Sequence, residues 1–300
     1  SLIKNARVAL GIDITQNHVT IVALDLTGSI ISSNRSRRHF EPTDDYYSYV
    51  GSTLDTFILD AGFQPDQILG VGIGLPALVD ADKKSIFFSK IINLSSTTLE
   101  DFARYIPYPI ELYNDANAAV FTETWTNHNM KNAFYLMLSN NIGGSMIING
   151  TIYSGDAQRS GEIGHVPLVP NGKKCYCGKQ GCADAYCAAS VLTDDTKETL
   201  EQFMKKVEEQ DGQAVKVWKE YLNNLAILIS NLRMAYDMDI ILGGEVGGYL
   251  ADHMITLGKK VMEYNGFEHD ARYLKVCSYK REASAVGVAK HYLQAFIKTL

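Results

Sequence analysis

The strongest constraint on the fold is a pattern of three short strands that occurs twice along the chain. Residues 7–31 contain two consecutive apolar strands, a turn and the start of a third strand. Residues 133–153 repeat that order, with a polar turn between the first two strands and an Asn-Gly turn before the third. Because each strand unit must bury its apolar face against other elements, the repetition predicts two lobes built on one duplicated unit.

The remaining segments predict helices that alternate with strands. Apolar residues recur at helical intervals over 45–61 and again over 283–297. Strand-like runs lead into glycine-containing segments at 69–80 and at 239–244. This alternation predicts an α/β architecture with functional residues at the ends of the strands.

The composition excludes several classes of protein. The chain has 300 residues, 46% of them hydrophobic, and lacks any apolar run of the roughly 18 residues that a membrane span requires. No signal sequence is recognisable at its start, so we expect a cytoplasmic protein without membrane contact. The 28 Lys and Arg against 34 Asp and Glu give a net charge of −6, which argues against this chain alone binding a nucleic-acid backbone.

Three of the five cysteines fall within eight residues, downstream of a histidine. The cluster consists of His165, Cys175, Cys177 and Cys182. One imidazole and three thiolates form a donor set that zinc prefers in closed, structural sites. The sequence therefore predicts a structural zinc site, and the alternative is three free thiols in a polar loop. Cys187 and Cys277 are expected to be ordinary buried thiols.

Several motifs occur in an order that resembles the ROK family of repressors, open reading frames and sugar kinases. The most specific pair is Gly-Glu-Ile-Gly-His at 161–165 and Cys-Tyr-Cys-Gly-Lys-Gln-Gly-Cys at 175–182. The other motifs are GIDI at 11–14, GIGLPALVD at 72–80, NDANAA at 114–119, IGGSMIING at 142–150 and LGG at 242–244. The resemblance implies an actin-like ATPase (ribonuclease H-like) α/β fold, in which two lobes lie around a sugar-binding cleft.

The resemblance also implies how the chain divides into lobes. Residues 1–117 are expected to form an N-terminal α/β lobe, and residues 118–282 a C-terminal α/β lobe that contains the zinc loop 161–190. The last helix, within 283–300, is expected to pack back on the N-terminal lobe. The two copies of the strand pattern then belong to different lobes.

ROK proteins bind a hexose-like sugar, and the resemblance implies which residues of this chain would contact it. They are Asn93, Asn114, Asp115, Glu162, His165 and Asp184. Carboxylates and amides suit such a ligand because each sugar hydroxyl both donates and accepts hydrogen bonds. Asp184 stands where the family usually has Glu, so its side chain is one methylene shorter. His165 is expected to bind zinc through one ring nitrogen and to keep the other for the sugar.

Four of these six contacts have a simpler structural alternative. Asn93 follows a strand-like run and is a candidate turn residue. Asn114 and Asp115 precede a helix and are candidate capping residues. Glu162 lies close to a metal-binding histidine, and it is a candidate for orienting that side chain.

The segments that bind ATP phosphates in ROK kinases differ in this chain. Those kinases use glycine-rich turns there, because glycine allows close approach and positive φ. This chain has Thr15-Gln16-Asn17 where they have Gly-Gly-Thr, Ser139-Asn140-Asn141 where they have Gly-Thr-Gly, and Glu245 where another Gly is usual. Three changes on the nucleotide side, with the sugar side retained, favour a sugar-binding protein without catalysis.

The leading hypothesis is the sugar-sensing effector domain of a ROK transcriptional repressor, similar to the xylose-repressor and N-acetylglucosamine-repressor branches. Operator DNA would be bound by an N-terminal winged helix-turn-helix outside this chain, and the protein would be a homodimer or tetramer. The second hypothesis is an active sugar kinase that uses ATP and Mg²⁺, with Asp115 as its general base. The third is a sugar-binding or adaptor protein that lacks a DNA-binding part.

Overall fold

The computed structural model contains two compact units. The described residues are 4–80, 82–89, 92, 97–127 and 130–300. Unit 1 comprises Ser1–His128, Gly155–Arg159 and Glu282–Leu300, and unit 2 comprises Asn129–Ser154 and Ser160–Arg281. Each unit has a five-stranded sheet of its own.

The helices and strands have the following bounds. The strands are β1 Val8–Ile14, β2 His18–Leu24, β3 Ile30–Arg37, β4 Ile68–Leu75, β5 Leu78–Val79, β6 Ile86–Phe88, β7 Ile110–Asn114, β8 Ala133–Leu138, β9 Ile142–Ile148, β10 Thr151–Tyr153, β11 Asp239–Gly243 and β12 Leu274–Val276. The α-helices are α1 Asp44–Ala61, α2 Leu99–Ala103, α3 Asp115–Thr126, α4 Asp184–Cys187, α5 Ser190–Thr193, α6 Leu200–Glu208, α7 Gly212–Tyr236, α8 Gly244–Gly247, α9 Met254–Tyr264 and α10 Ala283–Ile297. Within the described residues, none of these helices has both the length and the hydropathy needed to cross a membrane.

The sheet of unit 1 has the strand order β3-β2-β1-β4-β7. β2 pairs antiparallel with β1 and β3, whereas β4 pairs parallel with β1 and β7. Every residue of β1 is buried, as expected for a central strand that is covered on both faces. Leu10 and Ile12 pack in a core with residues of α1. Gly11 faces α10, where an added Cβ would lie 1.9 Å from the backbone oxygen of Ala285.

Helix α3 also belongs to unit 1, because it packs against α10. The Thr122 hydroxyl donates to the backbone oxygen of Ala283 at 3.0 Å. Gly287 approaches the backbone of Ala118 so closely that an added Cβ would lie 1.7 Å from the Ala118 oxygen. The expected lobe boundary after residue 117 falls inside α3, whereas the division between the compact units comes after residue 128. The difference arises because the packing of α3 on α10 connects segments far apart in the sequence.

The sheet of unit 2 repeats the arrangement of unit 1. Its strand order is β10-β9-β8-β11-β12, with antiparallel pairing from β10 to β8 and parallel pairing from β8 to β12. The long helix α7 packs on this sheet and contributes buried Trp218, Leu225 and Leu232 to the core. The predicted architecture of two α/β lobes on one repeated strand unit is therefore confirmed.

Candidate functional site

Two of the expected sugar contacts lie in unit 1, where β7 passes directly into α3. The Asn114 side chain accepts a hydrogen bond from the Asn117 N–H at 3.0 Å and donates to the Ala77 backbone oxygen at 3.1 Å. Asp115 accepts a hydrogen bond from the Ala116 N–H at 2.8 Å. Asn114 is thus the N-cap of α3, as the structural alternative predicted. Contact of Asn114 and Asp115 with a sugar stays a prediction, and Asn93 lies outside the described residues.

An aromatic stack in unit 1 supports the start of α3, and the sequence analysis did not find it. The His291 ring lies between the rings of Tyr113 and Phe121, with centroid distances of 4.5 and 3.9 Å and interplanar angles of 18° and 9°. Burial lowers the pKa of His291 to about 4, so this imidazole is neutral at pH 7. Tyr113 directly precedes Asn114, and therefore the stack helps to fix the position of Asn114 and Asp115.

The cysteine loop in unit 2 is held in a compact turn by its backbone. The Cys175 N–H donates to the Lys179 oxygen at 2.9 Å, and the Gly178 N–H donates back to the Cys175 oxygen at 3.0 Å. Gly178 and Gly181 have φ angles of 94° and 81°, which glycine adopts without strain. An added Cβ at Gly181 would lie 1.9 Å from a backbone oxygen. These two glycines allow the loop to curl so that its thiols converge.

The four predicted metal ligands lie together in unit 2. Their ligand atoms are all within 4.8 Å of one another. The sulfurs of Cys177 and Cys182 are 3.7 Å apart, and the Cys175 sulfur is 3.8 Å from Nδ1 of His165. A tetrahedral zinc ion with Zn–S bonds of about 2.3 Å separates two sulfur ligands by roughly 3.8 Å. The donor set and its spacing therefore fit a four-coordinate zinc ion.

Burial affects the thiols of the cluster. It raises the pKa of the Cys175 thiol to about 12 and also raises the pKa of Cys182. Without a metal these thiols hold their protons, and a bound metal ion would displace them as it accepts thiolate ligands. Outside the cluster, Cys187 is fully buried, as predicted, and Cys277 is half-buried with its thiol donating to the Tyr279 oxygen at 2.9 Å.

The second ring nitrogen of His165 faces away from the thiols. Nε2 lies 3.2 Å from the Tyr176 hydroxyl and 4.0 Å from a carboxylate oxygen of Glu162. Each ring nitrogen of His165 thus has a different set of neighbours, with Nδ1 in the candidate metal cluster. Tyr176 was not predicted as part of the site, although its position between two cysteine ligands was a usable signal.

Asp184 is buried against the turn between β8 and β9. One of its carboxylate oxygens accepts a hydrogen bond from the Ile142 N–H at 2.7 Å, and the other lies 3.5 Å from the side-chain nitrogen of Asn141. Burial raises the pKa of this carboxyl. The structure therefore places Asp184 as a link between the cysteine loop and this turn, and its predicted contact with a sugar stays a prediction.

The two turns that differ from ROK kinases are held by hydrogen bonds, within the turn in the first case and to residues from elsewhere in unit 2 in the second. In the turn between β1 and β2, the His18 N–H donates to the Thr15 hydroxyl at 3.1 Å. In the turn between β8 and β9, the Ser139 oxygen accepts from the Ala189 N–H at 2.8 Å. Glu245 lies in the first turn of the short helix α8. Side chains thus accept the N–H groups that directly follow both turns: Thr15 accepts that of His18, and Asp184, from outside the turn, accepts that of Ile142.

The chain matches a family model, described as the ROK family, over residues 9–295. A xylose repressor from Bacillus spizizenii is 31% identical over 216 residues, which cover 69% of this chain and 54% of the repressor. The chain thus spans about half the length of that relative.

Two solved structures share the fold. A ROK family glucokinase from Streptomyces griseus, in complex with glucose and AMPPNP, has a TM-score of 0.76 and 20% identity, covering 96% of this chain and 99% of the glucokinase. A ROK family transcriptional regulator, a homolog of the E. coli MLC protein, has a TM-score of 0.78 and 18% identity, covering 96% of this chain and 78% of the regulator. The predicted actin-like ATPase fold is confirmed, and the chain belongs to the ROK family.

Proposed function

We propose that this chain is the sugar-binding effector domain of a ROK transcriptional regulator. The observation that carries the proposal is that the backbone N–H groups directly after the two turns, between β1 and β2 and between β8 and β9, already have side-chain acceptors. ROK kinases have glycine-rich turns at these places, and their backbone N–H groups face phosphate. Here Thr15 accepts the His18 N–H and Asp184 accepts the Ile142 N–H, so these donors already have partners. A buried carboxylate at the second turn also opposes an anionic ligand there.

The proposed ligand is a sugar, and each unit supplies residues of suitable chemistry for it. Unit 1 offers Asn114 and Asp115 at the start of α3, and Asn93 completes its proposed set. Unit 2 offers Glu162 and Nε2 of His165. Charged and amide groups of this kind recognise paired hydroxyls by donating and accepting hydrogen bonds together.

We propose that zinc is the metal of the His165 cluster, and that its function is structural. Four protein ligands leave no open position for a substrate, which is the arrangement of structural rather than catalytic zinc sites. The ion would fix the position of His165 through Nδ1 and thereby the direction of Nε2. The protein's own residues, and not the metal, would contact the sugar.

The regulatory output would be a shift in conformation on sugar binding. A ligand that binds one conformation more tightly shifts the population toward it. In the proposed regulator this shift reaches operator DNA through a winged helix-turn-helix that is not in this chain, in a homodimeric or tetrameric protein. The similarity to a xylose repressor supports this assignment.

An active sugar kinase is the second candidate, and Asp115 favours it. A carboxylate at this position could accept the proton of a sugar hydroxyl that attacks ATP. The shared fold with a glucokinase solved with glucose and AMPPNP gives further support. A kinase requires ATP and Mg²⁺ to bind despite the changes at both turns.

Calorimetric titration of the chain separates the two candidates. The titrants are xylose, glucose, N-acetylglucosamine and N-acetylmannosamine, followed by AMPPNP with Mg²⁺ on the sugar-loaded protein. The regulator proposal predicts binding of one of these sugars and no detectable binding of AMPPNP. Saturable AMPPNP binding that strengthens with sugar would support the kinase instead, and the absence of binding by every sugar would contradict both.

A further inference from the structure

The segment that contains β5 and β6 is attached to β7 at two places. The Asn114 side chain donates to the Ala77 oxygen at 3.1 Å, directly before β5. In the turn between β5 and β6, the Lys83 oxygen accepts a hydrogen bond from the Leu112 N–H at 3.0 Å. β7 lies at the edge of its sheet, so this bond satisfies a backbone donor on the open side of the strand. The turn is therefore fixed beside the strand that ends at Asn114.

Lys83 has a backbone conformation that is unusual for its residue type. Its φ angle is 60°, in the left-handed region that glycine occupies more readily. The Lys83 N–H donates to the Asp80 oxygen at 2.9 Å, which closes the turn. A residue other than glycine persists in this region where surrounding contacts determine its conformation, and such residues are concentrated at ligand-binding sites. We therefore expect contacts outside the turn to hold Lys83 in place.

The Lys83 side chain makes such contacts with two residues of β7. Its ammonium donates to a Glu111 carboxylate oxygen at 2.9 Å and to the Tyr113 hydroxyl at 3.1 Å. The Tyr113 hydroxyl donates in turn to the same Glu111 oxygen. Burial alone would raise the pKa of Glu111, but the hydrogen bonds from Tyr113 and Lys83 outweigh it and lower this pKa. We call these three side chains the Lys83 network, and its hydrogen bonds are strengthened by charge.

Tyr113 connects the Lys83 network to the predicted sugar contacts of unit 1. Its ring stacks on the His291 ring, and the Lys83 ammonium lies 4.5 Å from the centre of the Tyr113 ring. The next two residues of the chain are Asn114 and Asp115. Because both the ring and the hydroxyl of Tyr113 have partners, its side chain is held at two points. Loss of the Lys83 ammonium would release the β5–β6 turn and one of these points together.

The exposure of the Lys83 network limits its contribution to the stability of the fold. The side chains of Lys83 and Glu111 are 39% and 43% exposed. Water and salt weaken ion pairs at such exposure, and these pairs contribute little to the free energy of unfolding. Folding alone therefore gives little reason to hold a lysine in an unfavourable backbone conformation. The position of the network directly before Asn114 favours a role in ligand binding instead.

We propose that Lys83 is a positioning residue for the sugar contacts of unit 1. The inference rests on the proposed sugar-binding function and deepens it. Lys83 acts through the β5–β6 turn and Tyr113, which hold Asn114 and Asp115 in place before the ligand arrives. Contacts that are ordered in advance lose less conformational entropy on binding, so they bind the same ligand more tightly.

Calorimetric titration with the sugar that binds the unaltered chain tests this role. Lys83→Met should weaken binding by at least about threefold, because the turn and Tyr113 both lose a charged partner. Lys83→Arg keeps the charge and should bind nearly as tightly as the unaltered chain. Lys84→Met is the matched control, since this neighbouring lysine is exposed. Unchanged affinity in Lys83→Met, or an equal loss in Lys84→Met, would overturn the proposal.

Two further measurements separate positioning from stability. Lys83→Gly relieves the unfavourable φ angle, so its thermal unfolding midpoint should equal or exceed that of the unaltered chain, while its sugar affinity falls as in Lys83→Met. Raising NaCl from 20 to 500 mM should weaken sugar binding by the unaltered chain by about twofold more than by Lys83→Met, because salt screens the ion pair. Sugar affinity that follows the unfolding midpoint across the variants, with equal salt dependence, would contradict a positioning role.

Hydrogen exchange without sugar tests the inference independently of the proposed function. Lys83→Met should raise amide exchange at Leu112 and over residues 114–117, and Lys84→Met should not. Unchanged exchange there would overturn the positioning role, whether or not a sugar binds. Raised exchange in a chain that binds none of the sugars would instead contradict the proposed function and leave the link from Lys83 to Asn114 established.

Discussion

The two units share one strand order, yet they hold their predicted sugar-binding residues in different ways. In unit 1, Asn114 and Asp115 begin a helix whose start is supported by the buried His291 stack. In unit 2, Glu162 and His165 lie at the two ends of a single 3-10 turn, beside three convergent thiols. One set therefore depends on packing and helix capping, whereas the other lies on a segment that carries a candidate metal cluster. Substitutions that disturb packing or capping should affect the predicted sugar-binding residues of unit 1, and substitutions in the cysteine cluster should affect those of unit 2.

The largest effect should come from removing a ligand of the cluster. Cys177→Ser should lower bound zinc from about one ion per chain to nearly none, because a thiolate is lost from a four-ligand structural site. Amide exchange should rise over the 161–190 loop and stay unchanged over α3. Metal analysis and hydrogen exchange check both, with Cys277→Ser, outside the cluster, as the control. Equal zinc content in Cys177→Ser and the unaltered chain would contradict the site.

The next largest effect should be a pH dependence specific to unit 1. The pKa of His291 is lowered to about 4 by burial, below its unfolded value of about 6.5. The folded state therefore favours the neutral ring. The contribution of this ring to the free energy of unfolding is fully present above pH 6.5. As pH falls from 6.5 to 4, the free energy of unfolding should drop by about 3 kcal/mol.

Urea unfolding between pH 7.5 and pH 4 measures this dependence. His291→Gln should flatten the decline, because the titrating group is removed, whereas His269→Gln, exposed in unit 2, should leave it unchanged. Identical pH profiles for His291→Gln and the unaltered chain would show that the stacked ring does not set the stability of unit 1 in acid.

A smaller effect is expected from the sugar contact of Asp115. Asp115→Ala should weaken sugar binding by about 1.5–3 kcal/mol, the usual contribution of hydrogen bonds to a charged group. Calorimetry with the sugar that binds the unaltered chain gives this value, and Asp55→Ala on α1 is a matched loss of charge. Unchanged affinity in Asp115→Ala would remove this residue from the site.

The smallest effect compares helix caps in the two units. Asn114 caps α3 in unit 1 and Thr199 caps α6 in unit 2. Replacing either with Ala should lower the free energy of unfolding by about 1 kcal/mol. Only Asn114→Ala should also weaken sugar binding. If Thr199→Ala weakened sugar binding equally, the effect of Asn114 would be one of general stability.

Local patterns explain what the sequence could predict. Alternating and continuous apolar runs predicted both copies of the strand unit, because strand formation depends on neighbouring residues. The spacing of three cysteines and a histidine predicted the metal cluster, because these four ligands also lie close together in the sequence. Both features are encoded within segments of about thirty residues or fewer.

Contacts between distant segments explain what the sequence analysis missed. The His291 stack joins α10 to β7 and α3, and no local pattern links His291 with Tyr113. The same packing of α10 keeps α3 in unit 1, although the expected boundary fell inside that helix. Asp184 was predicted from its position after the last cysteine, but its bond to Ile142 depends on how the loop packs against β9.

The central claim is that this ROK protein binds a sugar without phosphorylating it. The most direct test is a coupled assay for ADP release, with ATP, Mg²⁺ and the sugar that binds in calorimetry. We expect no sugar-dependent turnover above background at a sugar concentration that saturates the protein. Turnover at or above about 1 s⁻¹, the range of active kinases, would contradict the regulator account and establish a sugar kinase.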